Sequence, residues 1–181
     1  MRLFIEVVWL LLLVACQATG ASDPRVGPPL ALLDAWQAGF RSRDLDAMLA
    51  CYEPTNDTVL SHSTGVVVRG WDRIRDDYRA AFKEVEFLAV AFDPTVLGQH
   101  GETAWINGRL RMITRQISDG AESVLEIGTS FVMRWQSGSW RIVLEQSTPL
   151  EGVPRIRPRK PGENLSPPTQ QPASAPSGAR T

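Results

Sequence analysis

The chain has few of the residues that cross-link a fold or hold a metal ion. Its 181 residues include two cysteines and two histidines. Cys16 ends an apolar run near the start of the chain, which leaves Cys51 as the single cysteine of the folded part. We therefore expect stability to come from packing, with Cys51 as a buried structural thiol. The histidines, His62 and His100, are far apart and have no ligand spacing, so we expect no metal and no cofactor.

Strong charge imbalance and long apolar runs are also missing. Nineteen basic and twenty acidic residues give a net charge of -1, so the chain lacks the basic field typical of nucleic-acid-binding proteins. The apolar run covers residues 7–15 and follows Arg2. A helix that spans a bilayer needs about 20 apolar residues, so this run is too short. Its length and position are typical of a secretory signal.

Leu13, Val14, Ala15 and Cys16 resemble a bacterial lipobox. The resemblance implies cleavage before Cys16 and a mature chain that acyl chains on Cys16 tether to a membrane. It predicts a lipoprotein of the cell envelope that faces the periplasm or the exterior. Two alternatives stay open: cleavage near Gly20, which would release a secreted protein, and an uncleaved anchor.

Composition divides the chain into four parts. Residues 1–15 are predicted as a signal peptide, 16–29 as a tether, 30–148 as one folded domain, and 149–181 as a disordered Pro-rich tail. The tether and the tail contain small, polar and Pro-rich sequence, which buries too little apolar surface to offset the entropy of ordering. A basic cluster falls within the predicted tail: Arg155, Arg157, Arg159 and Lys160.

The folded part combines helical and strand patterns. Leu33, Trp36 and Phe40 recur at helical spacing, Asp44 is a good N-cap for a continuation, and a further helix follows Gly70. The Asp93-Pro94 pair predicts a bulge or a sheet edge. The class is therefore α+β, with helices on one face of a curved antiparallel sheet. The predicted strands are residues 58–62, 66–69, 87–96, 104–115, 123–135 and 140–147.

Alternation along the strands divides the sheet into two faces. The apolar set is predicted to face the helices and the polar set to face solvent or a second copy of the chain, with charge pairs across strands. The apolar set is Leu110, Met112, Leu125, Ile127, Phe131, Met133, Ile142 and Leu144. The polar set is Asn107, Arg109, Arg111, Glu126, Ser130, Arg134, Arg141 and Glu145.

Three stretches, together with the order of the elements, resemble the nuclear transport factor 2-like (NTF2-like) superfamily and its SnoaL-like branch. They are residues 44–52 (DLDAMLACY), 66–75 (VVVRGWDRIR) and 138–147 (GSWRIVLEQS). The resemblance covers residues 30–148. It implies a cone in which a strongly bent antiparallel sheet wraps around helices, with a pocket at the open end. The superfamily includes isomerases, cyclases, dehydratases and domains that only bind ligands or partners, so the fold alone does not decide the function.

The first functional hypothesis is binding without catalysis. An apolar pocket with a few polar groups suits a small hydrophobic molecule. The domain of this envelope lipoprotein is expected to bind such a ligand or a protein partner, and to form a homodimer through the sheet. The residues placed at the pocket by the fold are Trp36, Phe40, Tyr52, His62, Tyr78 and Gln146.

The alternative is a SnoaL-like isomerase, cyclase or dehydratase, with His62 as the base and Tyr52 or Tyr78 as hydrogen-bond donors. Two observations argue against it: Glu145 falls on the polar face, and Gln146 stands where many relatives carry a histidine. The alternatives differ in the expected cavity. An enzyme requires His62 and a tyrosine oxygen at one open cavity, whereas a cavity filled by Trp36 and Phe40 favours a binding module. A third possibility is assembly alone, through the tail.

Overall fold

The computed structural model describes residues 29–165. Cys16, the predicted signal peptide and most of the predicted tether lie outside these residues, as do residues 166–181 of the predicted tail. The helices are α1 (Pro29–Ser42), α2 (Leu45–Leu49) and α3 (Trp71–Glu84). The strands are β1 (Val59–Ser61), β2 (Val67–Arg69), β3 (Val85–His100), β4 (Thr103–Gln116), β5 (Glu122–Gln136), β6 (Ser139–Thr148) and β7 (Ile156–Pro158).

The helices form where their spacing predicts them. Leu33, Trp36 and Phe40 make the buried face of α1. The Asp44 side chain accepts a hydrogen bond from the Ala47 amide at 2.9 Å and so begins α2. The two helices pack very closely, since a Cβ on Gly39 would lie 2.7 Å from the Cβ of Met48. Within residues 29–165, no helix is long and apolar enough to cross a membrane.

The strands form one curved sheet in the order β2-β1-β6-β5-β4-β3. All neighbouring strands are antiparallel except β1 and β6, which run parallel. The sheet is therefore mixed, which corrects the prediction of an antiparallel one. The long connection from β1 to β6, through β2, α3 and β3 to β5, allows these two strands to run parallel. The predicted edge and bulge are confirmed, because β3 lies at the sheet edge and its register shifts between Pro94 and Val96.

A bulge in β6 reverses the direction of its side chains. Met133 pairs with Ile142 and Val132 pairs with Leu144, so Val143 is an extra residue in the ladder. An extra residue shifts the alternation by one position. The sequence-based assignment of Leu144 to the helix-facing side and Glu145 to the polar side is therefore wrong. Glu145 is only 4% exposed, and Leu144 is half-buried.

The opposite face of the sheet carries the predicted pairs of charges. Arg109 and Glu126 are 3.1 Å apart, and Arg115 and Glu122 are 2.7 Å apart. These pairs join β4 to β5 at exposed or half-exposed positions, where a salt bridge contributes less than about 1 kcal/mol. They keep that face of the sheet polar.

The chain does not become disordered at residue 149, which corrects part of the predicted tail. Strand β7 pairs with β5 at Ser123–Leu125, beyond the end of β6. The Glu126 amide donates to the Arg155 carbonyl at 2.9 Å. Arg159 pairs with Glu122 at 2.7 Å, and Arg157 pairs with Glu163. Backbone pairing and ion pairs therefore hold a segment whose apolar content alone predicts disorder.

Candidate functional site

A cavity of about 250 Å³ lies between α1, α3 and the concave face of the sheet. At the packing density of crystals of small organic molecules, this volume holds about a dozen non-hydrogen atoms. Apolar side chains from α1, α3 and strands β1, β3, β4, β5 and β7 make most of the lining: Phe40, Leu60, Ala81, Phe87, Leu110, Met112, Leu125, Ile127 and Ile156. The polar lining residues are His62, Ser63, Thr64, Asp77, Tyr78, Glu145, Ser147 and Arg155.

Glu145 is the centre of a buried hydrogen-bond network. Tyr52 and Tyr78 both donate to its Oε2, Tyr78 at 3.0 Å. The two tyrosine oxygens are 2.9 Å apart. The indole N–H of Trp36 donates to the Tyr52 oxygen at 2.9 Å. Because the indole occupies an acceptor position on Tyr52, the Tyr52 hydroxyl is oriented to donate onward to the carboxylate.

The environment of Glu145 brings its pKa close to neutrality. Burial raises the pKa of this carboxyl from 4.5 to about 7, and the two tyrosine hydrogen bonds act in the opposite direction because they stabilise the ionised form. Burial also raises the pKa of Tyr52 and of Tyr78 well above 10, and the nearby carboxylate adds to both shifts. The tyrosines therefore stay protonated, and Glu145 is the group that exchanges a proton near neutral pH.

One oxygen of Glu145 is available to a bound molecule. Both tyrosine bonds go to Oε2, and no group of residues 29–165 donates to Oε1. Only Asp93 Oδ1 and Arg111 Nε are fully buried without a partner in this part of the chain. Oε1 is not one of them, and Glu145 is one of the residues that line the cavity. A carboxylate held by one oxygen and open at the other suits acid–base chemistry.

A second polar pair lies at the same cavity. His62 follows β1, Asp77 lies on α3, and His62 Nε2 is 3.0 Å from Asp77 Oδ2. Both side chains are about one-third exposed. The carboxylate accepts the imidazole N–H and so orients the ring. His62 and Tyr78 therefore line the same cavity.

The residues predicted for the pocket fall into three groups. Phe40, His62 and Tyr78 line the cavity. Trp36 and Tyr52 are fully buried behind it, where Trp36 packs edge-on against Phe40 with ring centres 4.8 Å apart. They support the lining and do not fill the cavity. Gln146 is exposed, so its assignment to the pocket is wrong, and the cause is the bulge in β6.

Glu145 is the residue that sequence reasoning missed. A weak signal was present, because Ile142, Val143 and Leu144 are three successive apolar residues in a strand that otherwise alternates. Such a run is expected where an extra residue interrupts the ladder. The sequence contains only two tyrosines, and both reach this carboxylate.

Cys51 and His100 lie outside the site. Cys51 is buried, and burial raises the pKa of its thiol to about 11, so it is an unreactive core residue. His100 is exposed at the end of β3. In the described part of the chain, no three His, Cys, Asp or Glu side chains are grouped so that they could hold a metal ion.

Comparison with solved structures identifies the same architecture elsewhere. A ketosteroid isomerase-like protein from Erwinia carotovora atroseptica superposes with a TM-score of 0.59 at 21% identity, over 66% of this chain and 91% of that one. An NTF2-like superfamily protein from Salmonella enterica serovar Typhimurium gives 0.59 at 16% identity, over 68% and 89%. An NTF2-like protein of unknown function from Shewanella oneidensis gives 0.56 at 19%, over 66% and 94%. At these identities the likeness establishes the fold.

Comparison with curated protein sequences finds none that matches significantly. The sequence profile of the SnoaL-like domain matches residues 30–150, which include α1 to α3 and β1 to β6. Fold and profile together show that the chain belongs to the SnoaL-like domain family of the NTF2-like superfamily.

Proposed function

We propose that this domain binds a small, largely apolar molecule in the cavity and transfers a proton to or from it through Glu145. The observation that carries the proposal is the buried Glu145 carboxyl at the cavity, whose Oε2 accepts from Tyr52 and Tyr78 while Oε1 accepts from no group of residues 29–165. This proposal replaces His62 with Glu145 as the acid–base group of the enzymatic alternative. His62 stays a predicted second polar contact for the bound molecule.

The chemistry that suits this site is proton abstraction next to a carbonyl group. Ionised Glu145 takes the proton from carbon onto Oε1, and the electron pair of the C–H bond passes into the carbonyl to form an enolate. Return of the proton to the same or a neighbouring carbon regenerates the carboxylate. A base is most effective when its pKa is near the working pH. The apolar lining excludes water and strengthens the interaction of the polar groups with the bound molecule.

The test uses 2-tetralone, an apolar ketone of suitable size with exchangeable protons beside its carbonyl group. In deuterated water, the wild-type domain is expected to accelerate the loss of these proton signals from the NMR spectrum. The enzyme-dependent rate should rise as the pH passes through about 7, where Glu145 ionises. Glu145→Gln should lower that rate by about a hundredfold or more, since an acid–base group contributes 10²–10⁴-fold.

Glu126→Gln is the matched control. Glu126 lies on the same sheet but pairs with Arg109 on the outer face, so its replacement should leave the exchange rate unchanged. Binding of 2-tetralone without any acceleration of exchange would contradict the catalytic part and leave a ligand-binding domain. If 2-tetralone neither bound to the domain nor exchanged its protons faster in its presence, the whole proposal would be contradicted.

We also propose that the protein is exported and tethered to the membrane of the cell envelope through Cys16, as the lipobox resemblance implies. Intact mass spectrometry of protein from host membranes is expected to find a chain that starts at Cys16 and carries a lipid-sized mass increase. Cys16→Ser should lose that increase. An unmodified chain starting near Ala21 would instead indicate a secreted protein. Homodimerisation through the sheet, and binding of a protein partner, stay predictions.

A further inference from the structure

The segment after the family domain supplies part of the cavity lining. The SnoaL-like profile ends at residue 150, whereas Arg155 and Ile156 lie beyond it and still line the cavity. The amide of Glu126 on β5 donates to the Arg155 carbonyl, and the backbone pairing of β7 begins at the next residue. These backbone hydrogen bonds therefore fix the position of the Arg155 Cα atom.

Arg155 differs from the two other arginines of this segment. Arg157 pairs with Glu163, and Arg159 pairs with Glu122 at 2.7 Å. Arg155 has no carboxylate partner within residues 29–165; its guanidinium donates one long hydrogen bond, 3.4 Å, to the Ser63 hydroxyl. It is a half-buried cation at an apolar cavity, and its capacity to bind an anion is largely unused.

The register of the sheet places Arg155 away from Glu145. Strand β1 runs parallel to β6, with Leu60 opposite Glu145. Because the two strands are parallel, His62 and Ser63 lie beyond Leu60 on the same side as Ser147 lies beyond Glu145. Arg155 contacts Ser63 and therefore lies at that end of the cavity. The lining residues at this end, Thr64 and Ile156, are exposed, so the cavity opens here. A bound molecule therefore meets Glu145 in the interior and Arg155 at the opening.

We propose that the ligand of this cavity is an apolar organic acid, whose carboxylate binds Arg155 at the opening while its apolar body lies against Phe40, Leu110 and Ile127. The inference rests on the proposed function, because it names the class of molecule that enters the same cavity. The guanidinium and the Ser63 hydroxyl supply donors for the carboxylate. Asp77, an acidic residue of the cavity lining, is bonded to His62. Arg155 is thus a specificity-determining residue outside the family domain.

The test compares 4-phenylbutyrate with 4-phenylbutanol, which have the same apolar body and differ in the charged head. Calorimetric titration of the mature chain at near-neutral pH is expected to show that the acid binds about tenfold or more tightly than the alcohol, as for a charge-assisted hydrogen bond. Arg155→Met should remove this preference and leave the affinity for the alcohol unchanged. Arg155→Lys should keep most of the preference for the acid. Arg109→Met, the same change on the outer face of the sheet, should keep the whole preference for the acid.

Each result decides a separate point. Equal affinity for acid and alcohol in the wild type would overturn the assignment of Arg155 and leave the apolar cavity as a binding site. Loss of alcohol binding in Arg155→Met would mean that Arg155 only holds the segment in place, which also overturns the assignment. If neither compound bound, and 2-tetralone also failed to bind, the proposed function itself would fail.

Discussion

Replacement of Glu145 by glutamine is expected to remove most of the dependence of stability on pH between about 4.5 and 7. Burial raises the pKa of this carboxyl from 4.5 to about 7, so in that interval the folded state binds more protons than the unfolded state. Stability from this group is therefore fully present below pH 4.5 and is lost as the pH rises through about 7. The wild-type protein should lose on the order of 3 kcal/mol across this range.

Urea unfolding of the wild type and of Glu145→Gln, measured from acid to mildly alkaline pH, checks this expectation. The variant should be the more stable protein above neutrality, because the amide oxygen still accepts from Tyr52 and Tyr78 and no charge is buried. Glu126→Gln, which changes an acid on the outer face, should follow the wild-type profile. A wild-type profile that is flat over this range would contradict a raised pKa for Glu145.

Trp36→Ala is expected to lower the free energy of unfolding by about 3–5 kcal/mol, the usual cost of truncating a large buried aromatic side chain. Trp36 is completely buried and packs edge-on against Phe131, with ring centres 5.2 Å apart, as well as against Phe40. Its indole also donates to Tyr52, so truncation leaves a cavity and removes a buried hydrogen bond. Chemical denaturation monitored by circular dichroism measures the loss.

Trp36→Phe separates the two contributions. It retains an aromatic ring in the core but cannot donate to Tyr52, so it should cost less than the alanine variant. The remaining loss should include about 1 kcal/mol for the hydrogen bond. If Trp36→Phe lost as much stability as Trp36→Ala, the ring would contribute little, and the indole hydrogen bond would account for nearly the whole effect. If both variants were as stable as the wild type, Trp36 would not be part of the core.

Most helices and strands were predictable because their signals are local. The spacing of Leu33, Trp36 and Phe40 marks one face of a helix, and Asp44 marks the start of the next. Gly70 precedes α3 with a φ of 95°, a conformation that favours glycine. Each of these signals depends on a few neighbouring residues, so the sequence carries it without reference to the rest of the chain.

The candidate site was only partly predictable, because its central residue depends on strand pairing. Strict alternation assigns Gln146 to the cavity and Glu145 to the outer face, and one extra residue at Val143 reverses both assignments. The raised pKa of Glu145 could likewise not be predicted from the sequence. Its pKa follows from burial and from two tyrosines that lie 93 and 67 positions away.

The sequence by itself determined the α+β class and the likeness to SnoaL-like domains. Only the tertiary structure decided that Glu145 enters the cavity, that Tyr52 and Trp36 stand behind it, and that the segment around Arg155 completes it. The difference has a physical reason. Periodicity and caps are properties of short stretches, whereas a strand register, a buried pKa and a charge left unpaired depend on distant residues brought together by folding.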